Sequence, residues 1–286
     1  MATALNTLKQ PLKVALLQLK VTADKTKNIA NARAKIEEAA SNGAKLIVLP
    51  ECWNSPYAVT AFPEYAEEIP KGPTTSFLAE IAKQTKTYLV GGSFPEIEDG
   101  KYYNTNLTFN PSGELLGKFR KVHLFDIDVP GKIRFKESDT LTPGASESLI
   151  DVEGYGKIGV AICYDIRFPE MTLRAARNGA FAMIIPGAFN MTTGPAHWEL
   201  LARSRAVDNQ IYVILDSPAR DPDPNAGYHA WGHSLVADPW GTVVAQAEES
   251  ESITYAELDP KKIDEVRKSV PINTQRRFDL YPDVSK

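Results

Sequence analysis

Short runs of apolar residues, each of strand length, place the strongest constraint on the fold of this chain. They contain few charged residues and occupy residues 13–19, 44–49, 180–185 and 211–215. A strand with one solvated face alternates apolar and polar residues, so these continuous runs predict strands covered on both faces. Segments with apolar residues at helical spacing separate them, at residues 25–41, 170–178 and 193–207. This alternation predicts a layered α/β fold.

The whole chain, residues 1–286, is predicted to form one domain. It has no internal repeat, low-complexity block or clear linker, and its 43% hydrophobic and 24% charged residues argue against long disorder. The tail, residues 271–286, mixes arginines with Phe278 and Tyr281 and is too short to form a core of its own. We therefore expect the tail to dock on a partner surface.

Charge and cysteine content limit the partners and the compartment. The net charge of -4 gives no reason to expect nucleic acid or an anionic membrane as a partner. Cys52 and Cys163 are the only cysteines, so we expect a reducing compartment and no disulfide framework. Residues 1–11 lack an apolar signal core and arginine, and no apolar run is long enough to span a membrane. We expect a cytoplasmic protein, with a mitochondrial fraction as the alternative although no clear presequence is present.

Ionisable residues follow several of the predicted strands. Glu51 comes directly after the second strand, Lys121 after a predicted hairpin, and Cys163 after a further apolar run. Ligands of open α/β sheets gather at the carboxyl ends of strands, which favours one shared site. Considered singly, these residues have ordinary alternatives, namely a solvated acid, a surface base and a buried structural thiol.

Together these residue types are suited to one reaction. A cysteine nucleophile requires a base for its proton, and positive charge where the carbonyl oxygen of the substrate becomes negative. Glu51 and Lys121 would supply these functions to Cys163. Pro169 is suited to open a helix just after the cysteine, and the start of a helix favours a thiolate. The sequence therefore predicts nucleophilic attack by a cysteine on a carbonyl group.

The residues around these positions closely resemble the signature blocks of the nitrilase superfamily of carbon-nitrogen hydrolases, in order and in spacing. The blocks are Leu49-Pro50-Glu51, Arg120-Lys121-Val122-His123-Leu124 and Cys163-Tyr164-Asp165-Ile166-Arg167-Phe168-Pro169-Glu170. Other blocks resemble the Nit-type omega-amidase branch of that superfamily, so that the resemblance covers nearly the whole chain. They are residues 187–190, 193–198, 203–210 and 217–220.

The resemblance implies a fold and a mechanism. The fold is a four-layer αββα sandwich of the nitrilase type that pairs across a homodimer, and no cofactor or metal is implied. Glu51 is implied as general base and then acid, and Cys163 as the residue that forms a thioester with release of ammonia. Lys121 and the backbone N–H of Tyr164 are implied to hold the oxyanion.

The family also has a second glutamate near the lysine. We assign it to Glu137, in the long segment 126–143 that we expect to be an irregular functional cover. Asp126 and Asp128 lie nearby and are the alternatives for this assignment.

The substrates of the resembled branch are small amides such as 2-oxoglutaramate and 2-oxosuccinamate, which carry a carboxylate far from the amide. A guanidinium is the best partner for a carboxylate, and Arg167 is the first candidate. Thr193 and Tyr57 are expected to add hydrogen bonds, and Phe189 an apolar wall. The alternative for Arg167 is a structural salt bridge.

Other functions stay open at this point. A thiol hydrolase with a histidine base would recruit Cys163 together with His197, His229 or His233. A chain that kept the fold without catalysis is a further alternative. Within the resembled family, an amidase for deaminated glutathione or a nitrilase competes with the omega-amidase. His229 and His233 are four residues apart, but no glutamate follows the first, so a zinc site is not predicted.

Overall fold

The computed structural model describes residues 8–131 and 133–281, so the expectations for residues 1–7 and 282–286 lie outside the described residues. The strands in chain order are β1 (Leu12–Gln18), β2 (Leu46–Val48), β3 (Tyr88–Val90), β4 (Phe94–Glu98), β5 (Lys101–Phe109), β6 (Leu115–Arg120), β7 (Asp126–Val129), β8 (Ile133–Lys136), β9 (Leu149–Val152), β10 (Gly156–Val160), β11 (Ala180–Pro186), β12 (Tyr212–Asp216), β13 (Leu235–Ala237), β14 (Val243–Gln246) and β15 (Ser252–Leu258).

The helices lie between the strands much as the sequence predicts. In chain order they are α1 (Lys25–Ser41), α2 (Phe62–Tyr65), α3 (Pro73–Thr85), α4 (Pro169–Arg177), α5 (Gly194–Asn209), α6 (Pro260–Ser269) and α7 (Ile272–Gln275). Asp24 caps α1 by accepting a hydrogen bond from the backbone N–H of Lys27. Pro169 is at the start of α4, as predicted from its fixed φ. None of the helices among the described residues combines the length and the apolar character needed to cross a membrane.

Two sheets form the framework. The first has seven strands in the order β15-β1-β2-β3-β5-β4, with β6 paired to β5, and the second has six in the order β14-β13-β12-β11-β10-β9. The neighbours β1, β2 and β3 are parallel, and so are β10, β11 and β12. Parallel strands end at the same edge of a sheet, which brings the segments that follow them together.

Packed apolar side chains divide the molecule into four layers. Val14 of β1 and Ile158 of β10 belong to one buried cluster, which fills the space between the two sheets. A second cluster joins the outer face of the first sheet to Ile36 of α1 and Leu78 of α3. A third joins the second sheet to α4 and to Trp198 of α5. The predicted αββα sandwich is confirmed within one subunit.

The segment 126–143 was wrongly expected to be irregular. Strands β7 and β8 pair as an antiparallel hairpin, and a 3-10 turn, Glu137–Asp139, follows them. Gly131 (φ 72) lies in the connection, where a left-handed conformation suits glycine. Strand β4 was also missed, because Pro95 argues against a strand. It is tolerated here since β4 lies at the edge of its sheet.

Candidate active site

Cys163 begins a 3-10 turn, Cys163–Arg167, that follows β10 and precedes α4. Its φ of 48 lies in the left-handed region, which residues other than glycine seldom adopt. The residue is 3% exposed. This sharp turn agrees with the prediction that a strand delivers the thiol to a turn before a helix.

Glu51 lies in the turn after β2 and is completely buried. Its Oε1 atom accepts hydrogen bonds from Nζ of Lys121 at 3.0 Å and from Nδ2 of Asn104 at 2.8 Å. Its Oε2 atom accepts a hydrogen bond from the backbone N–H of Ala188 at 2.8 Å. The solvated loop acid, which was the alternative for this residue, is excluded by its burial.

Lys121 is also completely buried, which excludes the surface base that was its alternative. Its Nζ atom lies 3.0 Å from Oε1 of Glu51 and 2.9 Å from Oε2 of Glu137. Its neighbour Arg120 instead binds Glu96 and Glu98 on the preceding hairpin. The two members of this basic pair therefore point to different surroundings.

Glu137 is the second carboxylate beside the lysine. Its Oε1 atom accepts a hydrogen bond from the hydroxyl of Tyr57 at 2.8 Å, and its Oε2 atom accepts one from the backbone N–H of Phe125 at 2.7 Å. Asp126, one alternative for this position, instead accepts hydrogen bonds from Ser138. Asp128, the other alternative, is exposed. The geometry agrees with the assignment of Glu137.

Burial and charge determine which groups hold protons in this cluster. Burial raises the pKa of the Cys163 thiol well above its ordinary value, and the charge of Glu51 adds to this while Lys121 opposes it. Burial lowers the pKa of Lys121, but the charges of Glu137 and Glu51 outweigh it and the pKa lies well above its ordinary value. Burial raises the pKa of Glu51, although Lys121 lowers it.

These surroundings favour the thiol form of Cys163 and the charged form of Lys121. The start of a helix favours a thiolate, whereas burial and the charge of Glu51 raise the pKa of this thiol, so the thiolate stays a prediction. Burial and the charges of Glu51 and Glu137 raise the pKa of the thiol more than Lys121 lowers it. A thiol in these surroundings needs a base to remove its proton, and Glu51 is the carboxylate whose charge acts most on it.

Arg167 is half-buried and has no acidic partner among the described residues. Its Nη1 atom lies 3.2 Å from Nδ1 of His197, and its guanidinium lies 5.0 Å from the ring centre of Phe189. Burial lowers the pKa of Arg167, and the groups that oppose this are Cys163 and Tyr164 rather than a carboxylate. The structural salt bridge that was the alternative for Arg167 is not formed within the described ranges.

The other predicted substrate contacts are placed differently. Phe189 is buried and packs edge-on against Trp198 at 5.0 Å between ring centres. The hydroxyl of Thr193 lies 3.3 Å from Oδ1 of Asn190, and that of Tyr57 donates to Glu137. Both hydroxyls therefore already have partners within the protein.

A cavity of about 280 Å³ opens beside Glu51 and is lined by Tyr57, Ala188 and Tyr228 among others. Cys163, Arg167, Phe189 and Thr193 do not line this cavity. Tyr228 stands at its boundary: its ring lies 4.7 Å from that of Tyr57, and its hydroxyl donates to the carbonyl oxygen of Ala188. Burial raises the pKa of Tyr228, and the charge of Cys163 acts next. Tyr228 thus forms part of the wall of this cavity.

Sequence reasoning missed Asn104, Ala188 and Tyr228. Asn104 is a buried amide on a predicted strand, and this polar residue in a hairpin was an available signal. Ala188 acts through its backbone, so its side chain carries no signal. Tyr228 directly follows the stretch 221–227, which is rich in proline, aspartate and glycine, and an aromatic ring beside such a stretch was the only indication.

The histidines do not support the thiol-hydrolase alternative. His197 contacts Arg167, Nδ1 of His229 lies 3.2 Å from the carbonyl oxygen of Asp221, and His233 packs against Trp231. None of these contacts is with Cys163. Over residues 8–131 and 133–281, no group of three metal-ligating side chains is found.

Comparisons with known proteins identify the family to which this chain is similar. The profile described as Carbon-nitrogen hydrolase matches residues 13–268. Human omega-amidase NIT2 is 54% identical over 269 residues, which are 94% of this chain and 96% of the human protein. Hydrolase C26A3.11 of Schizosaccharomyces pombe is 56% identical over 273 residues, 95% of this chain and 84% of that protein. Saccharomyces cerevisiae Nit3, a member of branch 10 of the nitrilase superfamily, matches with a TM-score of 0.88 and 50% identity, covering 97% of this chain and 100% of the Nit3 chain.

Proposed function

This chain belongs to the carbon-nitrogen hydrolase family, and we propose that it is an omega-amidase that cleaves short 2-oxo dicarboxylic monoamides such as 2-oxoglutaramate and 2-oxosuccinamate. Carbon-nitrogen hydrolysis follows from the family and from relatives named omega-amidase. The observation that carries the proposal is the position of Lys121, whose Nζ atom lies 3.0 Å from Glu51 and whose charge acts on Cys163. The cluster matches what acyl transfer through a thiol requires.

Acylation begins with proton transfer. Glu51 takes the proton of the Cys163 thiol, and the sulfur attacks the amide carbon. Nζ of Lys121 and the backbone N–H of Tyr164 hold the oxyanion, where each donor contributes about 3 kcal/mol. Glu51 then gives the proton to the departing nitrogen, ammonia leaves, and a thioester with Cys163 is formed.

Hydrolysis of the thioester uses the same groups. Glu51 removes a proton from water, whose oxygen attacks the thioester carbon, and Lys121 again holds the oxyanion. The sulfur leaves, takes back the proton, and the carboxylic acid is released. A carboxylate with a raised pKa is suited to this role, because it must both accept and return a proton near the working pH.

Glu137 serves to hold the lysine in this mechanism. Its two oxygens accept hydrogen bonds from Tyr57, Phe125 and Lys121, so Glu137 holds the ammonium together with Glu51. A second carboxylate also keeps the lysine charged, since opposite charges raise the pKa of an ammonium.

Arg167 is proposed to bind the carboxylate at the far end of the substrate. Its lack of an acidic partner among the described residues and its half-buried position support this role, because a desolvated guanidinium binds a carboxylate strongly. Phe189 would face the carbon chain, and the hydroxyls of Thr193 and Tyr57 would add weaker contacts beside their existing partners.

We further propose a homodimer of one-domain subunits, residues 1–286, with the tail at 271–286 on the interface. The side chains of Leu200 and Val207 on α5 are apolar and exposed, which supports an interface that covers this helix. The cytoplasmic location stays a prediction from cysteine usage, and the absence of nucleic-acid and membrane partners stays a prediction from net charge. The proposed interface is tested by sedimentation, which compares the oligomeric state of the whole chain with that of a chain ending at residue 270.

Ammonia release from a panel of amides tests the substrate. The panel comprises 2-oxoglutaramate, 2-oxosuccinamate, deaminated glutathione, butyramide and a nitrile of similar length. We expect the highest kcat/KM with one of the 2-oxo amides and none with a Cys163→Ala variant. Better turnover of the peptide-sized amide would favour the deaminated-glutathione amidase, and turnover of the nitrile would favour a nitrilase.

A further inference from the structure

The lysine and the cysteine of the proposed mechanism come from different sheets. Lys121 follows β6 of the first sheet, whereas Cys163 follows β10 of the second. The distance between them therefore depends on contacts between the two segments that leave these strands. Such contacts matter for rate, because misplacing a reacting group by about 1 Å can cost about 100-fold.

Asp165 connects these two segments. Its Oδ2 atom accepts a hydrogen bond from the backbone N–H of Ile162 at 2.9 Å, within the cysteine turn. Its Oδ1 atom accepts hydrogen bonds from the backbone N–H of His123 at 2.9 Å and contacts Nδ1 of His123 at 2.8 Å. Asp165 is 1% exposed, so water competes little for these bonds.

His123 is held on two sides. A carboxylate oxygen only accepts, so Nδ1 of His123 carries the hydrogen of its bond to Asp165. The imidazole also stacks on Phe168, with 3.5 Å between ring centres and 10° between planes. Phe168 in turn donates its backbone N–H to the carbonyl oxygen of Asp165 at 3.1 Å. The ring is thus fixed by its edge and by its face.

We propose that His123 and Asp165 are positioning residues for the hydrolysis, which hold the lysine segment against the cysteine turn. His123 lies two residues after Lys121, and Asp165 two residues after Cys163. The pair therefore acts through its neighbours in the chain. This inference rests on the proposed roles of Lys121 and Cys163.

The conformation of the nucleophile supports the need for such a contact. The φ of 48 at Cys163 is unfavourable for a residue with a side chain, and it persists only where the surroundings hold it. The backbone N–H of Asp165 donates to the carbonyl oxygen of Ile162 at 3.1 Å, and the side chain of Asp165 binds the N–H of Ile162. These bonds close the turn, and the bonds from His123 attach it to the lysine segment.

Paired substitutions of His123 separate the hydrogen bond from the ring stack. His123→Phe keeps an aromatic ring on Phe168 but cannot donate to Asp165. His123→Asn loses the ring but carries an NH2 group at the position of Nδ1. Phe168→Leu, which removes the stack on His123 and the edge contact with Tyr164 but keeps the hydrogen bonds of Asp165, is the third variant. Each is measured for kcat, KM, melting temperature and the rate at which iodoacetamide alkylates Cys163, read from the peptide mass.

We expect His123→Phe to lower kcat by about 10- to 100-fold with KM unchanged, because a reacting group is misplaced, and to lower the melting temperature modestly, because a hydrogen bond to a buried carboxylate is lost. The alkylation rate of Cys163 should fall as well. His123→Asn should retain most of the wild-type kcat, and so should Phe168→Leu. If His123→Phe does not fold, His123→Asn compared with His123→Ala makes the same distinction.

Wild-type kcat and alkylation rate in His123→Phe would overturn the proposal. So would equal losses in His123→Phe and His123→Asn, or a loss confined to KM. The alkylation rate does not depend on the substrate chosen, so it tests the positioning role even if the wild-type chain hydrolyses none of the amides tested. Failure of the proposed function is then recognised by an inactive wild type whose Cys163 still responds to His123→Phe.

Discussion

Nζ of Lys121 lies 3.0 Å from Oε1 of Glu51, and neither side chain is exposed. A buried ammonium beside a buried carboxylate is stable only because each compensates the other, and Glu137 adds a second negative charge. Burial and the charge of Glu51 raise the pKa of the nearby Cys163 thiol well above its ordinary value, whereas Lys121 lowers it. The pair therefore matters both for stability and for the proposed chemistry. Substitution of Glu51 should mainly lower activity, and substitution of Lys121 should also lower stability.

Glu51→Gln should lower kcat for amide hydrolysis at least about 100-fold, because an amide cannot accept the proton of the thiol. The measurement is ammonia release under saturating substrate. Glu265→Gln, an exposed position on α6, is the matched control and should retain wild-type activity. Substantial activity in Glu51→Gln would contradict the mechanism and would favour a histidine base.

Lys121→Met should destabilise the protein by about 3–5 kcal/mol, because two buried carboxylates lose their shared counter-charge. The free energy of unfolding in urea measures this loss. Lys83→Met, at an exposed position of α3, controls for the change in side-chain type. Equal stability of the two variants would show that the carboxylates do not depend on Lys121.

Much of this site was predictable from the sequence, and the exceptions have physical causes. Glu51 and Cys163 follow strands with continuous apolar runs, so their places at sheet edges could be inferred. The long-range hydrogen bonds could not, because Asn104 and Ala188 reach Glu51 only once β5 and the segment after β11 are folded. Nor could the raised pKa of the Cys163 thiol be inferred, since its main cause is burial, which is a property of the whole fold.

The four-layer arrangement was predicted through the family resemblance, whereas local pattern alone indicated only alternating strands and helices. Strand β4 was missed because an edge strand tolerates Pro95. The hairpin of β7 and β8 was missed because its short strands carry charged residues, which a two-stranded sheet tolerates. Short, polar or edge strands are therefore the elements on which sequence reasoning failed.

Arg167→Lys should raise KM for 2-oxoglutaramate by about 10-fold, because an ammonium lacks the paired donors of a guanidinium. Hydrolysis of uncharged butyramide should not change. Arg174→Lys, on the exposed side of α4, is the matched control. Unaltered discrimination between the two amides in Arg167→Lys would show that Arg167 does not contact the carboxylate.

Tyr228→Ala should allow bulkier amides to react, because Tyr228 lines the cavity beside Glu51 and its truncation enlarges that cavity. The ratio of kcat/KM for deaminated glutathione to that for 2-oxoglutaramate should rise. Tyr228→Phe keeps the ring and should preserve this ratio, while loss of the hydroxyl bond to Ala188 costs about 1 kcal/mol in stability. An unchanged ratio in Tyr228→Ala would exclude a role in selection.

Titration of Glu51 should affect activity and stability in opposite directions as the pH is lowered. Burial raises the pKa of Glu51 above its ordinary value of 4.5. Only the ionised carboxylate accepts the proton of the thiol, so kcat/KM should fall as the pH is lowered through this raised pKa. The folded chain binds a proton at Glu51 at pH values where the unfolded chain has lost it, so this residue's contribution to stability should grow as the pH falls toward 4.5.

Glu51→Gln isolates this contribution, because glutamine does not titrate. We expect the difference in unfolding free energy between wild type and Glu51→Gln to shift in favour of the wild type as the pH is lowered from 8 toward about 5. Urea unfolding at each pH and kcat/KM profiles of the wild type measure the two effects together. A difference that is constant over this range, or an acid limb of kcat/KM at an ordinary carboxylate pKa, would show that Glu51 titrates like a solvated residue despite its burial.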